Sequence, residues 1–217
     1  MFAALDVYHD ESTRSAALNM AIDEALFEIA VVPSIRLYQW DHPALSFGYF
    51  GNFEDVANQN RDIVRRWTGG GIVFHGEDLT YSIVIPESDA AFGESSMSIY
   101  EKTHTAIREA LTANGQVSEL ATSTRPKISD SCFANPVRAD VLSNGHKVAG
   151  AAQRRTRRGL LQQGSIQSVS FGNGFAGLFA KALCHDCRQK QLNTPLLARA
   201  EAIAAQKYST ATWLRRR

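Results

Sequence analysis

At 217 residues the chain is long enough for one substantial domain, and its 44% hydrophobic and 21% charged residues are those of an ordinary globular protein. A net charge of +1 excludes a polybasic nucleic-acid binder, and no apolar run reaches the ~18 residues of a membrane span. The N-terminus has neither the basic region nor the apolar core of a signal peptide, and three cysteines make no disulfide framework, which points to a reduced, cytoplasmic protein.

In chain order, residues 13–30 predict an amphipathic helix. Leu18, Ile22, Ala25, Leu26 and Ile29 share its apolar face, with Thr13 or Ser15 as cap. Residues 35–38 and 44–49 read as strands on either side of the turn Asp41-His42-Pro43. Residues 62–66 read as a strand leading into Gly69-Gly70-Gly71. Residues 71–74 and 80–85 then read as a hairpin ended by Pro86. A second helix is expected over 98–114, with Ile99, Ala106, Ile107, Ala110 and Leu111 on one face and Gly115 as terminator.

Residues 121–136 are rich in Ser, Thr, Pro and Asn and read as a loop long enough to suspect a function. Three strands follow, over 138–142, 147–153 and 160–167, the last two joined by an arginine-rich turn. A short helix over 175–183 precedes a final one capped by Thr194, with Pro195 at its first position. Strands outnumber helices and consecutive strands look hairpin-linked. The expected class is α+β, with a mixed, largely antiparallel sheet flanked by helices, as a single domain over 1–217.

Three features carry chemistry. Gly69-Gly70-Gly71 lacks the Gly-Lys-Ser/Thr ending of a P-loop and the spacing of a dinucleotide fingerprint. Adjacent glycines let a ligand lie against main-chain N–H groups, although a wide bulge at a hairpin would use the same residues. Arg66 and His75 flank the run and could reach a phosphate or carbonyl oxygen. Cys132 stands in a polar loop, which favours an exposed thiol over the buried small hydrophobe a lone cysteine usually is. Attack at neutral pH needs a nearby cation, and Lys147 is the candidate. If the strands around Ser143-Asn144-Gly145 pair, that lysine returns only partly toward the cysteine. Cys184 and Cys187 form a C-x-x-C that is half a zinc site without a second pair. Arg154, Arg155, Arg157 and Arg158, and the terminal Arg215-Arg216-Arg217, read as a solvated turn and a frayed tail or as a docking patch for an acidic partner.

Longer stretches, in order, carry a resemblance. They are residues 18–25 (LNMAIDEA), 65–75 (RRWTGGGIVFH), 78–82 (DLTYS), 145–155 (GHKVAGAAQRR) and 160–166 (LLQQGSI). Together they resemble the lipoate–protein ligase and octanoyltransferase family, which shares its catalytic fold with biotin–protein ligases. The resemblance implies that Lys147 is functional and that the glycine run, with Arg66 and His75, binds an acyl or adenylate group. By the same matches Thr68, Gly69, Gly70, Gly71, Ala149, Gly150, Gln163 and Gly164 are substrate-binding. Cys132 looks like the nucleophile of the cysteine-dependent octanoyltransferases, which need no cofactor.

The resemblance implies a partner of each kind. The donor would be acyl carrier protein, and the acceptor a lysine on a lipoyl domain (glycine cleavage H protein or a 2-oxoacid dehydrogenase E2). Neither nucleic acid nor membrane is implied. The alternative within the family is an ATP- and Mg²⁺-dependent lipoate ligase, in which Lys147 would bind the adenylate and Cys132 would be incidental. The triple glycine reads at least as much like the ligase loop. The lack of room for a C-terminal accessory domain after the last helix favours the transferase. A non-catalytic lipoyl-domain or acyl-binding protein is the remaining alternative.

Overall fold

The computed structural model describes residues 1–124, 126, 132–172 and 174–216. The stretch 127–131 of the polar loop and Arg217 of the basic tail lie outside the described residues.

Strand β1 (Leu5–His9) leads into helix α1 (Ala16–Ile29). Strands β2 (Ser34–Tyr38), β3 (Ala44–Phe47), β4 (Asp62–Arg65), β5 (Val73–His75) and β6 (Leu79–Pro86) follow. Next come α2 (Ser96–Ala113), β7 (Glu119–Leu120), β8 (Val141–Ser143), β9 (His146–Thr156) and β10 (Gly159–Ile166). The chain then runs through α3 (Phe175–Leu183), β11 (Cys187–Lys190), α4 (Thr194–Ile203), a π-helical turn and α5 (Ala211–Leu214).

The strands form an eight-stranded sheet in the order β11-β1-β2-β6-β10-β9-β8-β7 and a three-stranded sheet in the order β4-β3-β5. Only β11-β1-β2 and β3-β4 run parallel, so the expected mixed, largely antiparallel α+β fold is the one observed. Alternation along β2 explains the layering. Ile35 and Leu37 join one core with Ile99, Ile107 and Leu111 of α2 and with Phe175 and Phe179 of α3. Tyr38 joins the other, with Ile22 and Leu26 of α1 and with Leu196 and Ile203 of α4. Helices therefore cover both faces of the large sheet.

Several expectations need correction. The stretches around 71–74 and 80–85 are not a hairpin: β5 pairs with β3 in the small sheet, and β6 with β2 and β10 in the large one. Asp78 makes the transfer possible, because its carboxylate accepts from the Gly76 N–H at 3.0 Å and turns the chain between sheets. Residues 138–140 do not extend β8; Ala139 takes a left-handed conformation (φ 67°) and forms a corner there. Ile29 is 55% exposed, and α1 instead buries Asn19, Met20 and Asp23. Ser15 caps α1, but α4 is capped by Asn193, whose side chain accepts from the Leu196 N–H at 3.0 Å. Strands β1, β7 and β11 went unanticipated; β11, Cys-Arg-Gln-Lys, is a charged edge without apolar alternation.

The basic tail is not frayed up to Arg216. Arg65, almost fully buried, donates to the carbonyls of Trp213, Leu214 and Arg216 and so caps the end of α5. The arginine turn is likewise tied down: Arg155 donates to the Phe92 and Glu94 carbonyls and Arg158 to that of Glu28.

Candidate active site

The turn Asn144-Gly145 has positive φ at both residues (50° and 75°), the geometry that closes a tight hairpin between β8 and β9. Leu142 pairs with Lys147 across it, and a register shift follows between Val141 and Leu142. The Lys147 side chain then folds back along its own strand over Gly150. A Cβ at Gly150 would lie 2.3 Å from Lys147 Cε and 2.5 Å from Nζ, so glycine is required there for the lysine to take this path. Its ammonium ends 3.4 Å from Cys132 Sγ, closer than hairpin pairing alone suggested.

A buried carboxylate holds the other side of the lysine. Lys147 Nζ lies 2.9 Å from Asp140 Oδ2, with the two side chains 2% and 0% exposed. Asp140 Oδ2 also accepts from the Val137 N–H at 2.7 Å, and Oδ1 from the Tyr100 hydroxyl at 2.5 Å. Burial, and then the Asp140 charge, hold the Tyr100 phenol well above its ordinary pKa, so it acts as a neutral donor. Asp140 and Tyr100 were not singled out from the sequence; the signal was an acid near a lysine across a predicted hairpin.

The glycine run sits opposite. The Cys132 N–H donates to the Ile72 carbonyl at 2.9 Å, which ties the cysteine segment to this loop. Gly70 has φ 85°, a region open chiefly to glycine. The loop is held from below by Arg66, whose Nη2 donates to the carbonyls of Gly69 (3.0 Å) and Gly71 (2.8 Å). Burial brings the Arg66 pKa down to about 10, which leaves it charged at neutral pH. Gly48 packs directly under the loop, since a Cβ there would come within 2.1 Å of the Gly70 carbonyl oxygen.

Arg66 Nη1 donates to Ser46 Oγ at 2.7 Å, and Ser46 Oγ meets His75 Nε2 at 2.6 Å. Guanidinium is only a donor, so the serine oxygen accepts from it and the serine hydroxyl donates to His75 Nε2. His75 Nδ1–H then donates to Asp78 Oδ2 at 2.8 Å. Burial lowers the His75 pKa, consistent with this neutral tautomer. Burial opposes ionisation of Asp78, but hydrogen bonds from His75, Ser165 and the Gly76 N–H prevail and lower its pKa. The flanking arginine and histidine therefore meet protein partners with their polar atoms, and both also line the inner cavity described below.

Of the remaining predicted residues, Gln163 lines the inner cavity and is held in place there: Oε1 accepts from Thr68 at 2.8 Å and Nε2 donates to Asp23 at 2.7 Å. Asp23 also binds Arg36, Tyr38 and Ser82, which explains the polar residues on the buried face of α1. Gly164 lies against Tyr81, where a Cβ would come within 2.3 Å of the ring. Ala149 belongs to the hydrophobic core and borders neither cavity described below. Cys187 Sγ contacts the Cys184 carbonyl at 3.1 Å and both thiols are free; among the described residues no His/Cys/Asp/Glu group is arranged to hold a metal.

Two cavities meet at Cys132. The inner one, a narrow slot with about 30 Å³ of free space, is walled chiefly by apolar surface, including Met20, Trp40, Val73 and Ala151. The outer one is an open cleft of about 730 Å³ bordered by Phe50, Asn52, Ile72, Tyr100 and Lys147. Gly70, Cys132 and Ala151 border both. Such an arrangement suits a reaction at the mouth, on the outer end of an apolar chain whose tail points into the slot.

Residues 15–192 match the lipoyl protein ligase A/B catalytic domain. The chain belongs to that family. Among its relatives are the octanoyltransferases LipM of Bacillus subtilis (37% identical over 175 residues, covering 72% of this chain and 63% of that protein) and of Brevibacillus brevis (34% over 170 residues, 70% and 62%). The matched region therefore spans under two thirds of these relatives' length. The fold is that of lipoate–protein ligase A solved with ATP (TM-score 0.74, 18% identity, 99% of this chain and 98% of that one). It is likewise that of the bi-partite lipoate protein ligase of Thermoplasma acidophilum (0.70, 21%, 98% and 96%). Family membership agrees with the resemblance read from the motifs.

Proposed function

We propose that this member of the family transfers an octanoyl or lipoyl group through a thioester on Cys132 to a lysine of a lipoyl domain. The observation that carries the reading is the Lys147 ammonium 3.4 Å from Cys132 Sγ, where the apolar slot opens into the cleft. The matched octanoyltransferases support the same class.

The acyl tail enters along the slot, whose side chains part to admit it, since about 30 Å³ of it is free. Its lining crosses β9, β10 and β6 along the paired row Gly150–Ser165–Thr80. Two strand spacings cover roughly 9–10 Å. An extended eight-carbon chain spans about 9 Å, taking carbon–carbon bonds of ~1.5 Å in a zigzag. Cys132 Sγ attacks the carbonyl of the donor thioester: the Sγ–C bond forms, the carrier C–S bond breaks, and the thiol proton leaves with the carrier thiol. Lys147 stabilises the thiolate and the developing oxyanion, assisted by main-chain N–H groups of the glycine loop. In the second half the acceptor amine attacks the same carbonyl, the C–N bond forms, the Sγ–C bond breaks, and Sγ takes up the proton lost by the amine. The donor is an acyl carrier protein or another lipoyl domain, the protein works in the cytoplasm, and the reaction consumes no ATP.

Incubation with octanoyl carrier protein and an apo-lipoyl domain should modify the acceptor through an octanoyl adduct visible by intact mass. Cys132→Ser should slow transfer on the order of 10³-fold or more. Undiminished transfer by that variant, or modification only with lipoate plus ATP, would overturn the reading in favour of a ligase.

A further inference from the structure

We propose that Asp140 and Tyr100 are positioning residues for the Cys132–Lys147 pair, an inference that rests on the transferase reading. The case begins with what Asp140 holds. One carboxylate oxygen takes both the Lys147 ammonium, at 2.9 Å, and the Val137 N–H, at 2.7 Å. Val137 closes the segment that begins at Cys132, so one oxygen anchors both the cation and the chain that carries the nucleophile. The second oxygen takes the Tyr100 hydroxyl at 2.5 Å.

Tyr100 continues the chain of contacts. Its oxygen accepts from the Ala151 N–H of β9 at 3.2 Å. Ala151 borders both cavities beside Cys132, so the phenol joins helix α2, the carboxylate and the strand under the acyl slot. The backbone that aims Asp140 is itself held. Ala139 adopts φ 67°, His104 Nδ1 donates to its carbonyl at 2.7 Å, and the Ala121 N–H donates to the Asp140 carbonyl at 2.8 Å.

A lysine side chain has four rotatable bonds and loses much entropy when fixed. A buried ammonium without a counter-charge would also carry a heavy desolvation cost. Asp140 offsets both, and its geometry leaves the lysine directed at sulfur. Asp140 acts on the thiol through Lys147 and through the Val137 end of the cysteine segment, and Tyr100 acts through Asp140 and Ala151.

The experiment is single-turnover acylation, measured as the rate of octanoyl–Cys132 formation by quench and intact mass with octanoyl carrier protein. Asp140→Asn should slow acylation ~10²-fold and Tyr100→Phe ~10-fold, the size expected when a reacting group is displaced by about an ångström. For Asp140→Asn the donor concentration for half-maximal rate should stay within about twofold, because Asp140 borders neither cavity. In a Lys147→Met background either substitution should slow the residual rate clearly less than it slows the unaltered protein, because the part of each effect that runs through the lysine is then gone while the contacts to Val137 and Ala151 remain. Unchanged rates in both single variants would overturn the inference. So would equal slowing with and without Lys147, which marks a purely structural role. If Asp140→Asn does not fold, Tyr100→Phe and its pairing with Lys147→Met decide the matter, since that change removes one hydroxyl. Absence of an adduct from the unaltered protein would instead sink the transferase reading, and this inference with it.

Discussion

Two buried ionic corners flank the glycine loop, and they are built to opposite ends. In the corner at Ser46, Arg66, His75 and Asp78, the contacts run from one protein group to the next without a break. In the corner at Asp140 and Lys147, the chain of contacts ends on a thiol at the mouth of an open cleft. Both contain a cation, a carboxylate and motif residues, so the sequence alone ranks them alike. The difference is where the last donor points. A network closed on itself stabilises a loop, whereas one that ends on a nucleophile can act on a substrate.

The largest expected effect concerns His104, behind the second corner. Burial drives its pKa down to about 4 from 6.5. Neutral in the folded state, it protonates first in the unfolded chain. Stability is therefore undiminished above about pH 6.5 and falls as the pH drops toward 4, by up to about 3 kcal/mol. Denaturant midpoints at pH 7 and pH 4.5 would measure this, and His104→Asn should flatten the difference; an equally steep loss in that variant would assign it to other groups. Next, Gly150→Ala places a methyl group where Lys147 now lies. It should slow acyl transfer about 100-fold, because ångström-scale misplacement costs about that much. Normal transfer by this variant would mean the lysine reaches Cys132 by another path.

In the closed corner, Ser46→Ala removes the partner shared by Arg66 and His75. About 2 kcal/mol of stability should be lost, with the per-molecule transfer rate changed only severalfold. A rate loss as large as that of Gly150→Ala would erase the contrast between the corners. The smallest effect is expected at Ala139, where φ 67° strains any residue with a Cβ. Ala139→Gly should relieve about 1 kcal/mol of that strain, read as a higher unfolding midpoint.

Local pattern made much of the molecule legible. Helices α2 and α3 appear where apolar spacing and Gly115 placed them, because their buried faces follow the helical period. The Asn144-Gly145 turn was equally plain, because positive φ at two successive residues selects those types. The failures share one cause, which is that partner choice between strands is not local. Residues 71–74 and 80–85 had the composition of a hairpin, yet Asp78 sends them into different sheets. The polar residues of α1 broke its apolar pattern because Arg36, Tyr38 and Gln163, remote in sequence, hydrogen-bond to them.

By itself the sequence determined the α+β class, the family, and the trio of Cys132, Lys147 and the glycine run as the residues to weigh. Those follow from residue type, spacing and order, which the chain carries along its length. Only the tertiary structure decided which of them meet. It brought the lysine to the cysteine through a bulged hairpin and a glycine without a side chain, and it supplied Asp140 and Tyr100 behind them. The physical reason is that an ion pair or a hydrogen bond depends on separations of a few ångströms, which only packing sets.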